Sequence, residues 1–246
     1  MKSLPAEFKT SIRKAKRLLP QKFTDTLGLI LIGSCAEECL CKNSDIDMVW
    51  IKKRGLNFKK LCRIKQDFSE KTTVICFSKK QILYHFKNST TMAHSIKNGK
   101  VLYKNNSFID KLMDHSISKP SRKWMKGWFE HWVKLYKMGV WHYRRNKRFH
   151  EKHCNKKCFC DTSDILARSA VNFAILFLEL YGYVPTTKHK ILKYFTKISS
   201  PELIPGLKIS LKVSREGRNL SLKEAESVYI TAKTLKEKIQ RKLRNK

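Results

Sequence analysis

Acidic residues are scarce in this chain. Its 246 residues hold 20 Asp+Glu against 53 Lys+Arg, a formal net charge of +33. A field of that sign favours polyanionic partners, RNA or DNA first and an acidic protein or membrane surface second. No run reaches the roughly 18 apolar residues that a membrane-spanning helix requires. The best candidate, Ala170 to Leu180, is shorter and contains Asn172 and Glu179, so it reads as a buried helix. The N-terminal stretch MKSLPAEFKTSIRKAKRLL has neither a compact apolar core nor a small-residue cleavage site, so no signal peptide is expected. Its basic, amphipathic character leaves organellar targeting open, with the cytoplasm the expected compartment. Without an export signal, the eight Cys read as thiols or metal ligands rather than a disulfide framework.

The segment Leu29–Trp50, LILIGSCAEECLCKNSDIDMVW, carries the chemistry. It reads as a strand, a Gly-Ser turn, a short helix over Cys35 to Leu40, and a second strand from Asp45 to Ile51. Carboxylates at i and i+2 of a strand share a face. A Gly-Ser turn that opens a helix presents backbone N–H groups to an anion. Together these features fit a metal-bound triphosphate.

Around this segment, Glu7 to Leu19 reads as a basic amphipathic helix ending near Pro20. Phe58 to Phe68 is helical, and Thr72 to Phe77 is a third strand. Strand, helix, strand, helix, strand implies a small α/β sheet with helical cover. From Pro120 the character changes. Trp124, Trp128, Trp132 and Leu135 recur at helical spacing, so Ser121 to about Tyr143 is expected to be one aromatic-faced helix. Arg144 to Cys160 is expected to be a loop, and Asp164 to Tyr181 an apolar helix stopped at Gly182. A shorter helix covers Thr187 to Phe195, and Ser199 to Arg218 is expected to be irregular. Ser221 with Glu224 has the form of a capping box for a last helix.

Gly33-Ser34 followed by Asp45 and Asp47 resembles the nucleotidyltransferase superfamily of the DNA polymerase beta type, especially its minimal members. The resemblance implies that Gly33 and Ser34 hold the β and γ phosphates of a nucleoside triphosphate, with ATP the expected substrate. It implies that Asp45 and Asp47 bind Mg²⁺ or Mn²⁺ and are the catalytic carboxylates. The family supplies a third carboxylate from a later strand. Here that strand is TTVICF, with Thr73 or Ile75 at the inward position and no acid. Asp67 and Glu70 precede it. After Gly-Ser the minimal family continues with a small residue and Arg-Gly, whereas this chain has Ala36-Glu37-Glu38. Lys52 and Arg54 are weaker phosphate candidates.

The second half resembles the HEPN helical domain. Asp164 to Gly182 looks like its central helix, Tyr183-Val-Pro-Thr-Thr-Lys-His189 like the link opening the next helix, and Leu220 to Tyr229 like its last helix. Active HEPN ribonucleases pair an Arg and a His near the C-terminal helices. Arg145 and His150 have that spacing but lie in another segment, so ribonuclease activity is not expected. His150, Cys154, Cys158 and Cys160 offer four zinc-type ligands, although their spacing matches no standard finger and unpaired loop thiols are the simpler reading. The tryptophan stripe reads as a core seam before it reads as a base-stacking face. Lys134, Lys137, Arg144, Arg145, Lys147 and Arg148 form a candidate nucleic-acid contact, as does the basic C-terminus.

The expected fold is therefore α/β plus all-α. A small mixed-sheet nucleotidyltransferase fold spans residues 1–118, and a HEPN-like helical bundle spans 119–246. The expected activity is metal-dependent transfer of a nucleoside monophosphate from an NTP to a hydroxyl of nucleic acid or protein. The alternative is a catalytically silent version of the fold that binds nucleic acid or a protein partner. A homodimer through the bundle is a further expectation.

Overall fold

The computed structural model describes residues 4–40, 44–153, 161–198 and 201–244. It divides into two compact units, Met1–Lys119 and Pro120–Lys246. No described helix is long and apolar enough to cross a membrane.

In the first unit, α1 (Ala6–Lys22) buries Phe8, Ile12, Ala15 and Leu19 along one stripe. It continues two residues past Pro20, which lies inside the helix and removes one N–H bond from its last turn. Then come β1 (Thr26–Ile32), α2 (Gly33–Ala36), β2 (Ile46–Lys52), α3 (Phe58–Lys65), β3 (Thr72–Ser78), α4 (Lys79–Lys87), α5 (Thr91–Lys97), β4 (Lys100–Lys104) and α6 (Ser107–Asp114). The sheet order is β3-β2-β1-β4. β1 pairs antiparallel with β2 and β4, while β2 pairs parallel with β3. Both faces of this mixed sheet are covered. Leu29, Leu31, Met48, Trp50 and Val74 pack with the apolar stripe of α1. Ile30, Ile32, Val49 and Ile51 pack with Ile82, Phe86, Ala93, Ile96, Ile109 and Leu112 of α4, α5 and α6. A strand buried on both faces reads as an unbroken apolar run, which is why β1 stands out in the sequence. The fourth strand was not expected. β4 is an edge strand with a Lys at each end, which blunts edges and weakens the strand signal.

The second unit holds α7 (Arg122–His153), β5 (Asp161–Thr162), α8 (Ile165–Leu180), α9 (Lys188–Ile198), a 3₁₀ turn (Pro201–Leu203), α10 (Ile204–Glu216), β6 (Leu220–Ser221) and α11 (Leu222–Arg244). Its core is built from Phe129 and Tyr136 of α7, most of α8, Leu207 and Leu211 of α10, and Val228, Ala232, Leu235 and Ile239 of α11.

Two expectations fail here for identifiable reasons. The loop expected from Arg144 is helix as far as His153. Residues 144–153 hold no Pro or Gly and are rich in helix-forming Arg, Lys and Glu. The extension is held by Tyr143 against Tyr229, by Lys147 near Glu226, and by the Asn146 amide donating to the Asp161 carbonyl. The stretch expected to be irregular contains α10. Its Pro205 sits in the first turn, where a missing N–H costs little. Gly206 is a packing glycine, since a Cβ there would lie 2.2 Å from Thr231 Oγ1. Gly217 ends the helix at φ 65°.

Candidate active site

β1 ends at Ile32, and the chain turns through Gly33 at φ +69° into the single turn of α2. Ile32 is paired with Asp47 across the sheet. That register brings the turn onto the second carboxylate: a Cβ on Gly33 would sit 3.2 Å from Asp47 Oδ2. Asp47 is half-buried in β2. Asp45 is exposed and precedes the strand, which starts one residue later than the sequence suggests. Asp45 is nevertheless tied to the turn, because the Cys35 thiol donates to its carbonyl oxygen at 3.1 Å. Burial pushes the Cys35 pKa up to about 12, and the carboxylates of Asp47 and then Asp45 push in the same direction. Gly33, Ser34, Asp45 and Asp47 thus converge, with a protonated thiol beneath them. The role of Cys35 was missed in the sequence. The available signal was a small apolar residue directly after the turn.

α2 ends at Ala36, earlier than expected, and Glu38 adopts φ 56° in the turn that follows. The Lys100 ammonium on β4 donates to the Glu38 carboxylate and holds its pKa below the ordinary value. This acid therefore carries its own counter-charge.

The parallel register sets Thr73 beside Asp47 and Ile75 beside Val49. Thr73 is thus the β3 residue beside Asp47, where the resemblance leads to the expectation of a third carboxylate. Asp67 does not fill it. Asp67 pairs with Lys22 of α1 at 3.0 Å, and the adjacent Phe68 packs on the sheet face opposite Asp47. Among the described residues, no three His, Cys, Asp or Glu side chains gather as a metal-holding group. Asp45 and Asp47 are the two carboxylates at this turn that could hold a cation.

Lys52 is not a phosphate ligand. It is buried at the far end of β2, bonded to Asp25 at 3.1 Å and lying over the Phe23 and Trp50 rings. Arg54 lies beyond it on the exposed surface.

In the second unit, His150 lies on α7, while Cys154, Cys158 and Cys160 fall outside the described residues, and with them the zinc set. Trp124, Trp128 and Trp132 are half-buried against the helical core, with Trp124 and Trp128 stacked at 5.6 Å. They form the expected core seam. Lys134, Lys137, Arg144, Arg145 and Arg148 are exposed on α7, whereas Lys147 turns toward Glu226 of α11.

Residues 13–108 match the family model described as Polymerase beta, Nucleotidyltransferase. No curated protein matches the chain in sequence. Among solved structures, spectinomycin adenyltransferase AAD(9) from Enterococcus faecialis, with ATP and spectinomycin, is similar over 96% of this chain and 100% of its own, at 15% identity and a TM-score of 0.59. A nucleotidyltransferase-like protein from Exiguobacterium sibiricum 255-15 covers 92% of this chain and 74% of its own, at 10% identity and a TM-score of 0.41. A toxin-antitoxin structure with AMP-PNP covers 42% of this chain and 80% of its own, at 15% identity and a TM-score of 0.32. At 15% identity the likeness to the spectinomycin adenyltransferase is one of fold. The chain has a nucleotidyltransferase fold followed by a mostly helical region.

Proposed function

We propose that the nucleotidyltransferase domain within residues 13–108 transfers a nucleoside monophosphate from an NTP, with ATP expected, to an acceptor hydroxyl. The observation that carries this reading is the approach of Gly33 to the Asp47 carboxylate, with Asp45 tied to the same turn through Cys35. A bare Cα at Gly33 leaves room for phosphate oxygens beside the backbone, and the Ser34 hydroxyl is a donor to them. The two carboxylates, with the Thr73 hydroxyl beside them, suit a hard divalent cation such as Mg²⁺ or Mn²⁺. Held by Asp45 and Asp47, that ion would polarise the α-phosphate and neutralise the leaving group. In the transfer, the acceptor oxygen bonds the α-phosphorus, the α–β bridging P–O bond breaks, and pyrophosphate leaves. The hydroxyl proton passes to water, since Thr73 offers no base.

The acceptor is a hydroxyl of nucleic acid or protein. The HEPN-like bundle proposed for residues 119–246 binds an acceptor or joins two copies. The fold shared with a spectinomycin adenyltransferase adds spectinomycin to the acceptors to be tried. A second reading, a silent nucleotidyltransferase fold that only binds nucleic acid or a partner, draws support from Thr73 at the place of the third acid.

The test incubates the protein with Mg²⁺ or Mn²⁺ and each α-labelled NTP. The acceptor is RNA, DNA, spectinomycin or none, and an Asp45→Asn/Asp47→Asn double variant runs alongside. Label transfer that the double variant loses supports the enzyme and identifies its acceptor. No transfer by the wild type with any nucleotide or acceptor favours the silent reading.

A further inference from the structure

The exposed face of the C-terminal half of α7 differs from an ordinary solvated helix surface. From His131 to His150 the chain contains no Asp or Glu. The exposed positions recur at helical spacing: His131, Lys134, Lys137, Met138, Trp141, Arg144, Arg145, Arg148 and Phe149. Trp141 is 53% exposed and Met138 is 42% exposed. A tryptophan left this open in the middle of five cations calls for an explanation that scattered surface apolar residues do not. The apolar side of the same helix is already committed, with Met125, Phe129, Tyr136 and Tyr143 in the core. That apolar stripe is therefore not available to lie in a membrane interface.

The type of cation matters as well. Of the thirteen Arg in the chain, three fall between 144 and 148. A general excess of Lys does not produce that cluster. Arg presents a planar fork that suits phosphate oxygens and stacks on π faces. The Arg145 guanidinium lies 5.3 Å from the Trp141 ring centroid, so a stacking pair is already assembled.

We propose that this face of α7 docks single-stranded nucleic acid. Lys134, Lys137, Arg144 and Arg148 would contact the phosphate chain, while Trp141 with Arg145 provides a platform for an unstacked base. A duplex hides its base faces and offers this platform nothing. From Lys134 to Arg148 the face runs about 21 Å along the helix, long enough for a few nucleotides. The proposal concerns binding alone and holds whether or not the first unit turns over nucleotide.

The test measures fluorescence anisotropy of labelled 12-nucleotide oligouridylate, oligothymidylate and a duplex of the same length, across a salt series. The expected result is that Arg144→Ala/Arg145→Ala/Arg148→Ala weakens single-strand binding at least tenfold. It should also lower the slope of log K against log salt by about 1.4, for the two phosphate contacts of Arg144 and Arg148 at about 0.7 each. Trp141→Ala weakens binding about tenfold with an unchanged slope, and Trp141→Phe recovers most of the loss. A control that removes the same charge elsewhere, Lys59→Ala/Lys60→Ala/Arg63→Ala on α3, leaves affinity within twofold. The oligouridylate and oligothymidylate arms separate RNA from DNA as the source. The proposal is overturned if both triple variants lose affinity equally, if Trp141→Ala binds like wild type, if duplex binds as well as single strands, or if poly-glutamate competes as well as oligouridylate.

Discussion

Gly33 lies against Asp47: a Cβ added to the glycine would stand 3.2 Å from the carboxylate oxygen Oδ2, on a backbone held at φ +69°. Two independent constraints meet at one residue. The left-handed backbone penalises any side chain by about 1–2 kcal/mol, and a Cβ there makes a tight contact that the Asp47 carboxylate must shift to relieve. Gly33→Ala is expected to lower the melting temperature by a few degrees. It should also reduce Mg²⁺-dependent NTP binding at least tenfold, because the methyl displaces Asp47. Thermal melting with and without Mg²⁺-ATP reads both effects. Retained binding in a destabilised protein would show that the glycine serves the turn alone.

Thr73 stands beside Asp47 in the parallel register of β2 and β3. Thr73→Asp introduces a third carboxylate there. Without metal, three acids repel one another and the variant melts below wild type. With Mn²⁺ the order reverses, and the metal-induced rise in melting temperature exceeds that of wild type. If the transfer reaction exists, its rate should rise about tenfold or more, at the low end of general-base contributions. A variant whose melting ignores Mn²⁺ would place β3 away from the site.

Cys35 is buried, and its pKa is raised to about 12 by burial and then by the neighbouring carboxylates. Only the thiolate is nucleophilic. Native alkylation with iodoacetamide at pH 8 should therefore leave Cys35 unmodified, while the half-buried Cys39 and Cys62 react. Peptide mass spectrometry after quenching shows which thiols carry the label. Early labelling of Cys35 would mean that the α2 turn opens readily. Cys35→Ala loses the bond to the Asp45 carbonyl and is expected to weaken Mg²⁺-ATP binding and to cost about 1 kcal/mol of stability.

Glu224 closes the capping box at the start of α11. Its carboxylate accepts from the Ser221 N–H at 3.0 Å, and the Ser221 hydroxyl accepts from the Glu224 N–H at 3.3 Å. Hydrogen bonds from Arg218 hold the Glu224 pKa down to about 2, from an ordinary 4.5. A depressed carboxylate stabilises the fold fully above the unfolded value and loses that contribution as pH falls through the folded one. Gln can still close the box, so Glu224→Gln removes only the charge paired with Arg218 and is expected to cost about 0.5–1 kcal/mol at neutral pH. The gap to wild type should close between about pH 4.5 and pH 2. Urea melts across that window check the sign.

Much of the α/β plus helical architecture was legible because burial leaves periodic marks. β1, β2 and β3 each read as apolar runs, and α8 is apolar enough to stand out without a partner. The cap at Ser221 and Glu224 was legible because a cap is a contact between residues three apart. β4 was not, since an edge strand bounded by lysines carries little apolar signal. α10 was hidden because Pro and Gly read as breakers unless their positions in the helix are known.

The residues at the candidate site show the same division. The order of Gly33, Ser34, Asp45 and Asp47 along the chain, and the lack of an acid in TTVICF, are properties of the sequence alone, as is the heavily basic balance. Strand register decided the rest. Thr73 and Ile75 share one face of their strand, so only the pairing of β3 with β2 could set Thr73 rather than Ile75 beside Asp47. Only packing across the sheet could carry Asp67 away to Lys22. The destination of Lys52 in a buried pair with Asp25, and of Trp141 on an open face among arginines, depended on which side of each element the core took up. Local spacing lists the candidates for each face, and the burial of the opposite face chooses between them.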